Sequence, residues 1–268
     1  MQPRSTTIAG RPCNFWESGS GEPVLYLHGF PTSGYLWRNV GDVVAAEYRV
    51  VAPDFPGFGR SELMDRPHTW ENLIEWLDSF VSEMDLSPIH LGVHDWGGLI
   101  GIAWACKNPE KVSSLLITDT SFRSTDRWHA AATQWRTPDV GEELFGEMTK
   151  EGFAALLSAF SQIAPNSVSE YWRGLDSKEK RFAKLDMYRS LDFEMFAPLE
   201  PRLDEVAPGR VRVVWAENDP FLSAKTAHWF GERLTAEVTL IKGATHFLQE
   251  DAGEELGRLH LNFLRESA

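Results

Sequence analysis

Six short apolar runs of β character, at 24–28, 49–54, 89–95, 114–119, 211–217 and 237–242, alternate with segments of helical period along most of the 268-residue chain. That alternation is the pattern of a mainly parallel sheet covered by helices on both faces, because parallel neighbours need a long crossover that a helix supplies. Trp70, Leu73, Ile74, Leu77, Phe80, Val81 and Met84 recur at spacings of three and four, which predicts one covering helix with a single apolar face. The alternation breaks once. Between 122 and 208 helical character (Trp135, Leu144, Phe153, Leu157, Trp172) is interrupted by Pro138, Pro165, Pro198 and Pro201, with no convincing strand. The expectation is an α/β core made of 1–121 and 209–268, with a helical cap, 122–208, inserted between two sheet strands.

Charge and cysteine content remove several function classes. The net charge of −13 disfavours a nucleic acid partner, since phosphate binding draws its affinity from clustered Lys and Arg. No apolar run approaches the ~20 residues of a membrane helix, and the first residues lack an apolar signal core, so a soluble cytoplasmic protein is expected. Cys13 and Cys106 are far apart and without ligand spacing, so neither a disulfide framework nor a metal site is expected. The 11 Trp and 16 Phe are mostly core material, but they also suffice to line a dry pocket. The acidic run 142–151 and the group Glu250, Asp251, Glu254 and Glu255 read as solvated faces.

The segment Leu91-Gly92-Val93-His94-Asp95-Trp96-Gly97-Gly98-Leu99-Ile100 carries the most chemistry. A β run ends in a turn with glycines beyond it and opens into a helix, which puts Asp95 at the nucleophile position of a strand–turn–helix elbow. By itself, Asp95 reads equally well as a plain helix N-cap. Two later features change that. The run 211–217 leads into Asn218-Asp219-Pro220, and 237–242 leads into Gly243-Ala244-Thr245-His246, so nucleophile, acid and histidine follow in that chain order. Upstream, His28-Gly29-Phe30-Pro31 follows the first strong strand, where a backbone N–H of Phe30 can join that of Trp96 in an oxyanion hole. Asp119 also ends a strand and is the rival orienting acid, while His28 and His94 read as packing or hydrogen-bonding residues.

An aspartate in the elbow has a chemical meaning. A serine attacking a saturated carbon would form an ether that water cannot cleave, whereas a carboxylate forms a hydrolysable ester. His246 then activates water, and Asp219 holds the imidazole and stabilises its cation. The expected reaction is hydrolysis at an sp³ carbon bearing a halide or an epoxide oxygen, with no cofactor, on a small apolar organic substrate.

These residues resemble the α/β-hydrolase fold enzymes with an aspartate nucleophile, the haloalkane dehalogenases and epoxide hydrolases. The similarity covers most of both sheet halves and is weakest in the cap. The stretches His28-Gly29-Phe30-Pro31-Thr32-Ser33-Gly34 and Asp54-Phe55-Pro56-Gly57-Phe58-Gly59-Arg60-Ser61 look dehalogenase-like, as does Val93. Phe30 departs from the subgroup that places a halide-binding Asn there. Another subgroup uses the Trp after the nucleophile and a cap Trp, which implies Trp96 and Trp135 as halide donors, with Trp128 as the substitute. Epoxide hydrolases use cap tyrosines as ring-opening acids. Met187-Tyr188-Arg189 resembles their second tyrosine motif, so Tyr188 keeps that alternative open, although their first tyrosine has no counterpart before Tyr171 and His129 would have to stand in. Fluoroacetate dehalogenases carry Arg after the nucleophile, and Trp96 in that place argues against haloacids.

Overall fold

The protein is described by a computed structural model covering residues 1–266. Its sheet contains β1 (Gln2–Ile8), β2 (Arg11–Ser18), β3 (Pro23–Leu27), β4 (Arg49–Pro53), β5 (Ile89–His94), β6 (Val112–Thr118), β7 (Val211–Ala216) and β8 (Glu237–Ile241). The spatial order is β1-β2-β4-β3-β5-β6-β7-β8. From β4 to β8 the neighbours are parallel, and β1 and β2 add antiparallel pairs at one edge. The expected runs are all strands, ending one residue short of the prediction. The two strands without a sequence signal are β1 and β2. Most of QPRSTTI is exposed on the edge, so β1 needs no apolar alternation. β5, by contrast, is buried along its whole length and reads as a continuous apolar run.

Helices α1 (Arg38–Val44), α2 (Trp70–Glu83) and α3 (Trp96–Lys107) connect the first strands. α2 is the predicted covering helix, capped by Thr69, whose hydroxyl accepts from Asn72 N–H. Between β6 and β7 lie α4 (Ala130–Arg136), α5 (Val140–Gly146), α6 (Lys150–Ser158), α7 (Pro165–Trp172) and α8 (Lys178–Ser190). The chain closes with α9 (Ala224–Leu234), the single turn α10 (Leu248–Asp251) and α11 (Gly253–Glu266).

The helices α4 to α8 reach the core through specific ties. Lys184 of α8 donates to Gly57 O at 2.6 Å, and Trp70 N–H donates to Ser190 Oγ at 2.8 Å. Arg60 pairs with Glu170 of α7 through two bonds of 2.9 and 2.8 Å. Tyr171 donates its hydroxyl to Glu250, which also takes both arms of Arg38 at 2.9 and 2.7 Å. Glu250 was expected on a solvated face; its side chain is only 3% exposed. A buried carboxylate must be paired, and here it has a guanidinium and a phenol. Both cysteines are free and buried. Among the described residues no helix is long and apolar enough to cross a membrane, and no group of His, Cys, Asp and Glu is arranged to hold a metal ion.

Candidate active site

Strand order decides where chemistry can sit. From β3 the chain moves to β4 on one side, then returns to β5 on the other, so the ends of β3 and β5 flank a topological switch point, where open α/β sheets place their ligands. The two strands are in register, Leu27 opposite Val93, so the loops carrying Phe30 and Asp95 emerge side by side.

Asp95 turns the chain with φ 50° and ψ −123°, a conformation that a side chain rarely adopts. It is pinned by its N–H to Asp119 O at 3.0 Å, and by Thr120 Oγ1 donating to its carbonyl at 2.7 Å. The tight passage needs glycines. A Cβ on Gly97 would stand 2.3 Å from Leu27 O, and one on Gly29 would stand 2.1 Å from Asp95 Oδ1. The Asp95 carboxylate makes no N-cap bond to α3. Instead its Oδ1 accepts from Phe30 N–H at 2.7 Å, and the Trp96 N–H also bears on it. Burial raises the Asp95 pKa from its ordinary value, while His246 and those two N–H groups act in the opposite sense.

His246 faces this carboxylate with Nε2 at 3.7 Å from Asp95 Oδ2. On its other edge Nδ1–H donates to Asp219 Oδ2 at 2.8 Å. Asp219 Oδ1 accepts from Phe221 N–H and Leu222 N–H at 2.7 and 3.0 Å, which fixes the carboxylate. Burial would raise the Asp219 pKa, but His246 and the hydrogen bonds bring it below the ordinary value. His246 is raised: burial opposes its charge, and Asp219 with Asp95 more than offset that.

The rival acid, Asp119, does not bond His246. It is buried, takes Ala216 N–H on Oδ1 at 3.0 Å, and burial together with the charge of Asp219 raises its pKa well above the usual carboxylate range. His28 accepts Phe55 N–H on Nε2 at 3.0 Å, so its Nδ1–H donates to Gly29 O at 2.9 Å. His94 Nε2–H donates to His246 O at 2.8 Å. Burial pushes both imidazoles down to about 3, so they stay neutral structural donors.

Above Asp95 and His246 lies a cavity of about 120 Å³ with a largely aromatic wall. Trp96 is in that wall, stacked on Trp128 with centroids 5.7 Å apart. Tyr188 stands edge-on to Trp96 at 5.0 Å, and Trp135 packs on Phe30 at 5.3 Å and on Tyr188 at 5.0 Å. Both proposed cap donors, Trp135 and its substitute Trp128, therefore border the same space as Tyr188. Trp128 Nε1–H is buried and has no acceptor among the described residues. Sequence reasoning missed Phe221, whose ring meets His246 edge-on at 5.2 Å, and Leu156 and Phe160 of the wall. For Phe221 the only signal was its place two residues after Asp219. A second, acidic cleft, with Asp126, Asp192 and Glu194, shares Arg127, Trp128 and Phe193 with the cavity.

The alpha/beta hydrolase fold family matches residues 22–253. A haloalkane dehalogenase of Agrobacterium fabrum is 30% identical, the alignment covering 91% of this chain and 85% of the relative. The chain belongs to the haloalkane dehalogenase family of alpha/beta hydrolases. A second dehalogenase, from Psychrobacter cryohalolentis, is 27% identical over 92% of this hydrolase and 84% of its own length. In three dimensions this hydrolase superposes on haloalkane dehalogenase DbeA from Bradyrhizobium elkani with a TM-score of 0.87, covering 99% and 98% of the two chains at 22% identity. At that identity the likeness speaks for the fold, including the eight-stranded, mostly parallel sheet.

Proposed function

We propose that this hydrolase cleaves carbon–halogen bonds of small haloalkanes through an ester on Asp95. The observation that carries the reading is a carboxylate, in place of a hydroxyl, at the elbow, facing His246 across an aromatic cavity. Oδ1 is occupied by Phe30 N–H, which leaves Oδ2 as the attacking oxygen. It attacks the carbon bearing the halogen, and the C–X pair leaves as halide. Trp96 and the cap residue Trp135 supply indole N–H groups to the departing anion, with Trp128 as the rival donor. His246 then takes a proton from water, and the resulting hydroxide adds to the ester carbon. Phe30 and Trp96 N–H groups hold the tetrahedral oxyanion, Asp219 stabilises the imidazolium, and collapse frees the alcohol. The sum is haloalkane plus water giving alcohol, halide and a proton. In this reading 122–208 is a cap closing the cavity over the core 1–121 and 209–268.

Intact mass spectrometry of a His246→Ala variant tests the scheme, because the first step needs no base and the second does. Incubation with 1-bromobutane is expected to add one butyl group to Asp95, and Asp95→Ala in the same background is expected to abolish it. An unmodified His246→Ala chain would overturn the mechanism. A second reading, epoxide opening with Tyr188 as the acid, draws on the position of that phenol against Trp96. An adduct formed only from an epoxide, carrying a hydroxyalkyl group, would favour it.

A further inference from the structure

His129 stands in the cavity wall without a part in the scheme above. Its Nδ1 accepts Ala132 N–H at 3.3 Å, as the N-cap of α4. That bond needs the Nδ1 lone pair, so the neutral ring carries its proton on Nε2, the opposite edge. The ring is neutral: burial pushes its pKa down to about 4. It is held between Trp135, edge-on at 5.6 Å, and Phe221 at 4.9 Å, and Phe221 in turn touches His246. His129 thus borders the cavity one ring away from the base, with its tautomer and orientation set by the backbone bond to Nδ1.

We infer that His129 Nε2–H binds an acceptor oxygen on the substrate, so that the site favours haloalkanes bearing an ether or carbonyl oxygen beyond the reacting carbon over purely hydrocarbon ones. The inference rests on the haloalkane reading for the word substrate, but the binding subsite does not. An ether buried in an aromatic box without a donor loses its water for nothing, whereas one that meets Nε2–H keeps a hydrogen bond. Histidine suits the task because one nitrogen can be spent on the cap while the other works in the cavity.

The test uses inert ligands, so it does not depend on turnover. Methyl propyl ether and its isostere n-pentane are titrated into the full-length protein labelled with ¹⁵N-histidine, with His129 assigned by its loss in His129→Phe. Expected are a protonated Nε2, an Nε2 resonance that moves with the ether and not with pentane, and an ether-to-pentane affinity ratio that falls roughly 2- to 12-fold in His129→Phe. His129→Asn should give the same fall, because Asn can still cap α4 but is too short to carry a donor into the cavity. A wild-type ring protonated on Nδ1, or a ratio unchanged in both variants, overturns the inference. A protein that binds the ether through His129 yet hydrolyses no bromoalkane refutes the dehalogenase reading and leaves this subsite standing.

Discussion

Asp95 holds a backbone conformation costing about 1–3 kcal/mol at the turn that carries its carboxylate to the cavity. Two neighbours with similar chemistry, Asp219 and Asp119, then divide the labour through their surroundings. Asp219 is bonded to His246 and held anionic; Asp119 is driven toward the neutral acid by burial and by Asp219 itself. Hence Asp219→Asn is expected to lower kcat by ~10³–10⁴, the scale seen when a histidine loses its orienting carboxylate. It should also shift the acid limb of the kcat profile to lower pH, because in the proposed mechanism His246 acts neutral and Asp219 does more than Asp95 to raise its pKa. Asp119→Asn, nearly isosteric with a protonated carboxyl, should stay within a few-fold of wild type. Steady-state pH profiles of both variants decide it; the reverse ranking would hand the role to Asp119. The sequence favoured Asp219 but kept Asp119 as its rival, since both follow buried parallel strands. The choice lies in which loop end meets the imidazole.

At the scale of elements, α8 supplies both a cavity wall, through Tyr188, and a tie to the core, through Lys184. The amine is buried, bonded to Gly57 O and 3.7 Å above the Phe58 ring, and burial pushes its pKa well below the ordinary 10.5. Between that lowered value and 10.5 the unfolded chain binds a proton that the folded chain does not. Stability therefore rises with pH across that window, by up to ~1.4 kcal/mol per pH unit from this group. Lys184→Met is expected to remove the slope, and chemical denaturation of both proteins from pH 7 to 9 measures the difference. Parallel slopes would mean that Lys184 stays charged. Elements were legible where burial imposed a period: β5 as an apolar run, α2 as a one-faced helix. β1 has no core face to advertise, and Glu250 looked solvated because its partners, Arg38 and Tyr171, lie 212 and 79 residues away.

For the whole molecule, the division between sheet and inserted helices determines the room for substrate. A cavity of about 120 Å³ is somewhat smaller than the ~150 Å³ apolar cavity that accepts benzene. Short haloalkanes should fit it, and 1-bromobutane is expected to exceed 1-bromooctane in kcat/KM by about ten-fold or more, a cost of the order of the few kcal/mol that overpacking a filled site exacts. Leu156 both lines the cavity and is 40% exposed, so Leu156→Ala should narrow the difference by giving the longer chain a way out. Equal rates for the two substrates in wild type would show that reaction takes place in a more open shape.

The acidic cleft beside the cavity has a bearing on what happens after the chemistry. Two of its carboxylates are already paired, Asp126 with Arg123 and Asp192 with Arg136, and Arg127 lines both the cleft and the chamber. A departing halide therefore meets a balanced set of charges and not a field of one sign, so its release is expected to respond only weakly to salt, which at physiological strength leaves exposed charges a reach of roughly 8 Å.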